Sequence, residues 1–371
     1  MHALKRWLKT SFLLLLCATI SLGFCAPGWA SPSPVGWIAN LPPGNAVTDP
    51  QTLLRLALPI DNQPVRQIQA SLEDISDQVR GKRWKGINGD ISKAIAVLNK
   101  GKTELLASVP EAQKPQAETL IDQINTGLTS LKAAAEAKDK ERLVQVKSDL
   151  LTQIGELEAY MVQKFPFEVP AKYSNLPQLK GRATVLMETS KGPVTIVVDG
   201  YSAPITAGNF VDLVQRGFYN GLEFTRAEQS YVLQAGDPPG PEQGFVDAKT
   251  GKYRAIPLEI LVKGDAKPLY GITLEDAGRF RDQPVLPFAA YGTVALARPG
   301  DDPNGGSSQF FFLLFEPELT PAGLNLLDGR YAVFGYVVEG EEVLGELKQG
   351  DKIESARVIQ GADQLVEPQV A

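Results

Sequence analysis

The chain reads as an α+β multidomain protein: an antiparallel helical bundle followed by a closed antiparallel β-barrel. Three observations carry that expectation. Residues 49 to 164 place apolar side chains at spacings of three and four. Residues 165 to 180 are broken by prolines at 166, 170 and 177. Beyond them, short runs of alternating apolar residues are separated by Gly, Pro and Asp turns.

The segment before the bundle differs in kind. "MHALKRWLKT" is basic, "SFLLLLCATISLGF" is apolar and "APGWA" ends in small residues. This is the order of a secretory signal peptide over 1–30, cut after Ala30, so export is expected. Cys17, Cys25 and His2 all lie in it, leaving a mature chain without disulfide, thiol or imidazole. That composition excludes Ser–His–Asp and Cys–His mechanisms and the usual zinc site; no metal or cofactor is expected. Loss of Lys5, Arg6 and Lys9 leaves 34 basic residues against 43 acidic ones, a net charge of −9. Nucleic acid is thereby disfavoured as a partner, and no membrane span is expected once the signal is removed.

A Pro-rich leader occupies 31–48. Asp49 before Pro50 then starts the bundle, an N-cap followed by proline in the first turn. Val65, Ile68, Leu72, Ile75 and Val79 make one stripe. Ile91, Ile95 and Leu98 make a second, Leu120, Ile124, Leu128 and Leu131 a third, and Leu143, Val146, Leu150, Ile154, Leu157 and Met161 a fourth. Breaks are expected at "GKRWKGINGD", "NKGKTE" and "AAEAKDKE". Four or five helices with short loops imply an antiparallel bundle over 49–164, with no catalytic constellation in it.

The 165–180 segment is the expected hinge, short enough to keep bundle and barrel in contact. Strands are expected in "ATVLMETS", "GPVTIVVDGYSAP", "GLEFTRAEQSYVLQAGD", "YGTVALARPG", "SSQFFFLLF", "RYAVFGYVVEG" and "DKIESARVIQ", with "TAGNFVDLVQRGFY" a helix between strands. Within "SSQFFF" the alternation puts Gln309 and Phe311 on one face, Phe310 and Phe312 on the other. The barrel spans 181–362, with a tail at 363–371. Two long insertions, 262–284 and 315–325, interrupt it.

The segments "TAGNFVDLVQRGFYNGLEFTR", "VLQAGD", "GTVALAR", "SSQFFF" and "LLDGRYAVFGYVVEG" occur in an order that resembles the cyclophilins. These are peptidyl-prolyl cis–trans isomerases folded as an eight-stranded barrel capped by two helices. The whole chain is similar to the forty-kilodalton thylakoid-lumen cyclophilins of plants and cyanobacteria, which are associated with photosystem II assembly and a thylakoid phosphatase. The resemblance implies an isomerase or folding factor in the thylakoid lumen or periplasm. Its partners would be Pro-containing segments of lumenal or exported proteins, photosystem II subunits among them.

By the same resemblance Arg226 is the catalytic residue, and Gln234 and Gln309 are the glutamines that hold it and the substrate backbone. Phe311 is the floor of the proline pocket, with Leu327 and Ala297 on its walls. The departures are Thr225 for a histidine, Tyr231 for a phenylalanine and Val232 for a methionine. Arg298 stands for an asparagine, Leu326 for the rim tryptophan and Tyr331 for a second histidine. Each lost contact costs on the order of 1–3 kcal/mol in binding, so activity is expected to be low or conditional. The alternative is a non-catalytic scaffold or chaperone that binds proline segments, its helical domain docking partners or a phosphatase. A third reading has the bundle cover the groove.

Overall fold

Asp49 opens the described helices, its Oδ1 accepting from Thr52 N at 3.2 Å. The computed structural model describes residues 47–248, 250–315 and 325–368. The expected signal peptide, nearly all of the leader, the middle of the second insertion and the last three residues lie outside them. Helix α1 is Pro50–Ala57. It is followed by α2 (Gln63–Glu73), α3 (Ile75–Arg80), α4 (Trp84–Ala107), α5 (Lys114–Ala137) and α6 (Lys140–Met161).

Helix α2 runs antiparallel to α4, and α4 to α5. Asn62 caps the start of α2 through Val65 N, while its amide donates to Glu104 O and Ser108 Oγ at the end of α4. Lys102, late in α4, pairs with Asp122, early in α5. The four apolar stripes meet in one core that includes Ile68, Leu72, Ile91, Leu98, Ile124, Leu128, Leu150 and Ile154.

One expected break is not a break. Helix α4 runs through "NKGKTE" and stops only before Pro110. A Cβ on Gly101 would lie 2.9 Å from the Pro64 ring, so this glycine allows α4 to approach α2 closely. The first break narrows likewise to residues 81–83, with Gly86 and Gly89 inside α4.

The second half begins with β1 (Gln178–Leu179), β2 (Arg182–Thr189) and β3 (Gly192–Asp199), then helix α7 (Pro204–Gln215). Strands β4 (Arg226–Glu228) and β5 (Val232–Ala235) follow. The next four, β6 (Val246–Asp247), β7 (Lys252–Tyr253), β8 (Glu259–Ile260) and β9 (Leu269–Tyr270), are two residues each. Then come β10 (Thr293–Leu296), β11 (Phe310–Leu313), β12 (Val333–Glu339), a short α8 (Glu341–Leu344), β13 (Ile353–Gln360) and β14 (Leu365–Val366).

Eight strands form one antiparallel sheet in the order β13-β2-β3-β12-β10-β11-β5-β4. The ladder is open, with β13 and β4 at its edges, rather than the closed barrel expected. The reason is local: β4 is only three residues long. Before it the chain meets the start of β13 through a single bridge, Glu223 to Lys352, flanked by bonds such as Phe224 N to Asp351 O at 2.8 Å. Inside the curl, Val185, Met187, Val194, Ile196, Leu233, Phe310, Phe312 and Phe334 pack with Phe210 of α7.

Helix α7 lacks a side-chain cap of its own. Glu259 supplies one from a distant loop: its Oε2 accepts from Ile205 N at 3.0 Å, Thr206 N at 2.9 Å and Thr206 Oγ1 at 3.1 Å. The group is 1% exposed, and burial pushes its carboxyl up to about 7 against the three donors. The first insertion is built rather than loose. Leu258, Ile260, Val262 and Leu274 form a small core with Ala332.

The opposite face of the sheet carries another cluster, and α1 completes it. Leu53, Leu54 and Ala57 join Leu286, Phe288, Ala290, Phe311, Val333 and Tyr336. Arg182 bonds Asp199 Oδ1 at 2.7 Å and donates to the Leu54 carbonyl. Arg66 caps the end of α1 through the carbonyls of Arg55 and Leu58, both at 2.8 Å, and pairs with buried Glu158 at 3.1 Å. Burial raises Glu158 to about 7. The expected contact between the helical and sheet halves is therefore made by α1. Among the described residues, no helix is long and apolar enough to cross a membrane.

Candidate functional site

Register builds the site. Arg226 of β4 lies opposite Gln234 of β5, Gln234 opposite Phe311 of β11, Phe311 opposite Ala295 of β10, and Ala295 opposite Val333 of β12. Directly opposed residues share a face, so five strands carry one row across the outside of the curl. Phe310 and Phe312 are wholly buried in the interior core, while Phe311 belongs to the outer cluster.

A cavity of about 120 Å³ opens on that row. Arg226, Tyr231, Val232, Gln234, Ala297, Arg298, Phe311, Leu327 and Tyr331 line it. Gln309 lines an adjoining cavity of about 220 Å³, which shares Gln234, Ala297 and Arg298. Of the residues singled out from sequence, Thr225 and Leu326 line neither cavity, and Leu326 is 90% exposed. The chain turns there, and Asp328 fixes the turn by accepting from Asn325 N and from Phe288 N. Burial raises that carboxyl to about 6.

The floor is rigid. Phe311 stacks on Phe288 at 5.9 Å with ring planes 9° apart, and meets Tyr331 edge-on at 5.4 Å. Such pairs add about 0.5–1.5 kcal/mol each beyond their burial. Arg298 sits over the Tyr331 ring at 5.2 Å. It is anchored by Arg330 O at 2.8 and 3.0 Å and Pro299 O at 2.8 Å, which fixes both the cation and the tyrosine.

The glutamines do not hold the arginine. Gln234 Nε2 donates to Gln309 Oε1 at 2.7 Å, and Gln309 Nε2 donates to Asp237 Oδ1 at 3.1 Å and Gln243 O at 2.9 Å. Partial burial raises the Asp237 carboxyl above its ordinary value. Arg226 instead bonds Glu228, Nε to Oε1 at 2.7 Å. Glu228, Phe288 and Asp328 were missed from sequence. For Glu228 the signal was there, because residues two apart on a strand share a face. The α1 side chains on the outer cluster line neither cavity, so among the described residues the helical half does not cover the groove.

An apolar floor, a flanking cation and paired amides thus lie together on one face of the sheet. Residues 184–367 match the cyclophilin-type peptidyl-prolyl cis-trans isomerases, and residues 49–162 match the PsbQ-like domain of CYP38-like peptidyl-prolyl isomerases. A Synechocystis protein whose name describes a thylakoid lumen peptidyl-prolyl cis-trans isomerase is 58% identical over 98% of this chain and 96% of its own. The chloroplastic peptidyl-prolyl cis-trans isomerase CYP38 of Arabidopsis thaliana is 41% identical over 95% of this chain and 85% of its own. The chain belongs to the cyclophilin-type peptidyl-prolyl cis-trans isomerases, in the group that carries a CYP38-like helical domain ahead of the isomerase domain.

Proposed function

We propose that the protein catalyses cis–trans isomerisation of X–Pro bonds in lumenal or exported polypeptides, at a low or conditional rate. The observation that carries this reading is the row Arg226, Gln234 and Phe311 across three adjacent strands. Rotation about an X–Pro bond is slow because amide resonance must be broken, a barrier of ~18–20 kcal/mol. The twisted state localises a lone pair on the prolyl nitrogen. A fixed donor aimed at that nitrogen lowers the barrier by preorganised electrostatics, without nucleophile or acid–base pair.

In this reading Phe311, Val232, Leu327 and Tyr331 seat the ring, and Arg226 is the donor. Gln234, Gln309 and Arg298 with Ala297 contact the peptide backbone, and Tyr231 closes the open side. The domains are the bundle at 49–164, the hinge at 165–180 and the barrel at 181–362, its seam closed by the strip joining 221–224 to 350–353. A signal peptide over 1–30 would deliver the protein to the thylakoid lumen or periplasm, and photosystem II subunits would be among its clients.

A protease-coupled assay on an Ala-Pro tetrapeptide tests this with the purified protein. Catalysis above the thermal rate, lost in Arg226→Ala, is the expected result. A wild-type rate no faster than the thermal one sinks the enzyme reading. The second reading, a proline-segment scaffold, is favoured by one observation, the engagement of Arg226 by Glu228. It predicts peptide binding without turnover.

A further inference from the structure

Arg226 and Glu228 flank Ala227 on β4, so both side chains leave the same face. Glu228 Oε1 takes both Nε, at 2.7 Å, and Nη2, at 2.6 Å. Glu228 is itself opposite Val232 in register, which puts the carboxylate beside the mouth of the cavity that Arg226 and Val232 line. The amide that faces Arg226 across the ladder, Gln234, gives its hydrogen bond to Gln309 instead. Both charged groups are half exposed, at 50% each. Glu228 is therefore the side chain that decides where the guanidinium points.

We propose that Glu228 is a positioning residue that parks the Arg226 guanidinium along its own strand, away from the prolyl nitrogen, and so sets a low basal isomerase rate. The inference rests on Arg226 being the catalytic donor. A guanidinium has five N–H donors in a fixed plane. With Nε and Nη2 committed to the carboxylate, the plane is held along β4, and a substrate must turn it before the donor reaches the ring. The partner also reduces the benefit of the charge, because a cation beside an anion stabilises a developing lone pair less than a free cation does. An exposed pair is weak and screened by salt. The brake is correspondingly mild, a factor of about two to five, and releasable by anything that competes for either partner.

The test uses Glu228→Gln, which keeps the size and the acceptor oxygen and removes the charge. At low ionic strength its kcat/KM on an Ala-Pro tetrapeptide is expected to exceed wild type by about two- to fivefold. Added KCl should raise the wild-type value toward the variant and leave the variant nearly flat. In an Arg226→Ala background the substitution should do nothing. A Glu228→Gln rate at or below wild type overturns the proposal, as does an increase that survives loss of Arg226. A merely structural role for Glu228 would not produce the salt convergence. The Arg226 Nε–Hε resonance, identified by its loss in Arg226→Ala, provides a readout independent of turnover. It should shift in Glu228→Gln; an unmoved resonance overturns the parked pair even if isomerase activity is present. If both proteins run only at the thermal rate, the isomerase reading fails and the claim of a catalytic brake fails with it, whereas a shifted resonance would still establish the pair.

Discussion

Replacing Glu259 with glutamine tests the balance between burial and hydrogen bonding at the head of α7. The carboxyl is fully buried, and burial lifts it from an ordinary value near 4.5 to about 7 although two backbone amides and a hydroxyl donate to it. The folded protein then binds a proton there over a range in which the unfolded chain does not. Stability from this group is complete below about pH 4.5 and is lost as pH rises through about 7. Between pH 8 and pH 5 the linkage amounts to about 2.5 kcal/mol in favour of the acidic side. Urea unfolding followed by circular dichroism at the two pH values measures it. Wild type should gain stability on acidification, and Glu259→Gln should gain about 2.5 kcal/mol less. An equal gain in the two proteins would refute the reasoning. It would mean that the three donors outweigh desolvation and keep the carboxylate ionised throughout.

Leu326→Trp, which replaces a side chain that is 90% exposed and outside both cavities, should change kcat/KM on an Ala-Pro peptide by less than about threefold, because a surface substitution away from contacts has little effect; a tenfold gain would show that the turn can fold over the pocket. Arg182→Ala strips the cation from the carboxylate of Asp199, which is wholly buried and among the described residues keeps only Ser202 Oγ at 2.6 Å; a loss of about 3 kcal/mol in urea unfolding is expected, and a loss below about 1 kcal/mol would contradict it. Gly101→Ala, a change that stabilises an exposed helix by about 1 kcal/mol, should instead lower the melting temperature because its Cβ meets the rigid Pro64 ring at 2.9 Å.

The bundle could be read because its stripes repeat over many turns, and the site could be read because its segments resemble a family. What stayed hidden depends on pairing between distant residues. Gly101 looks like a helix break in one dimension; only the approach of Pro64 explains it. Phe311 and Gln309 share a face by alternation alone, but that Gln309 would take Gln234 away from Arg226 depends on the register of β5 against β11. Glu259, a lone charge in the apolar run "IPLEIL", was a visible anomaly whose partner at Ile205 and Thr206 was not. The open ladder followed from the shortness of β4, which alternation does not measure. Leu53 and Leu54 carried no sign that their seat would be the sheet rather than the bundle.

That seat has a consequence for the order in which the protein assembles. The helices α2 to α6 contact their neighbours along the chain, so they can form while synthesis is still under way. Helix α1 is made before any of them, yet its apolar face fits against Phe288, Val333 and Tyr336, which come most of the chain later. Its docking must await the completed sheet, making the first of the described helices to be made among the last to find its place. Until then Leu53, Leu54 and Ala57 remain an uncovered apolar strip on the nascent molecule, the kind of surface on which early intermediates associate.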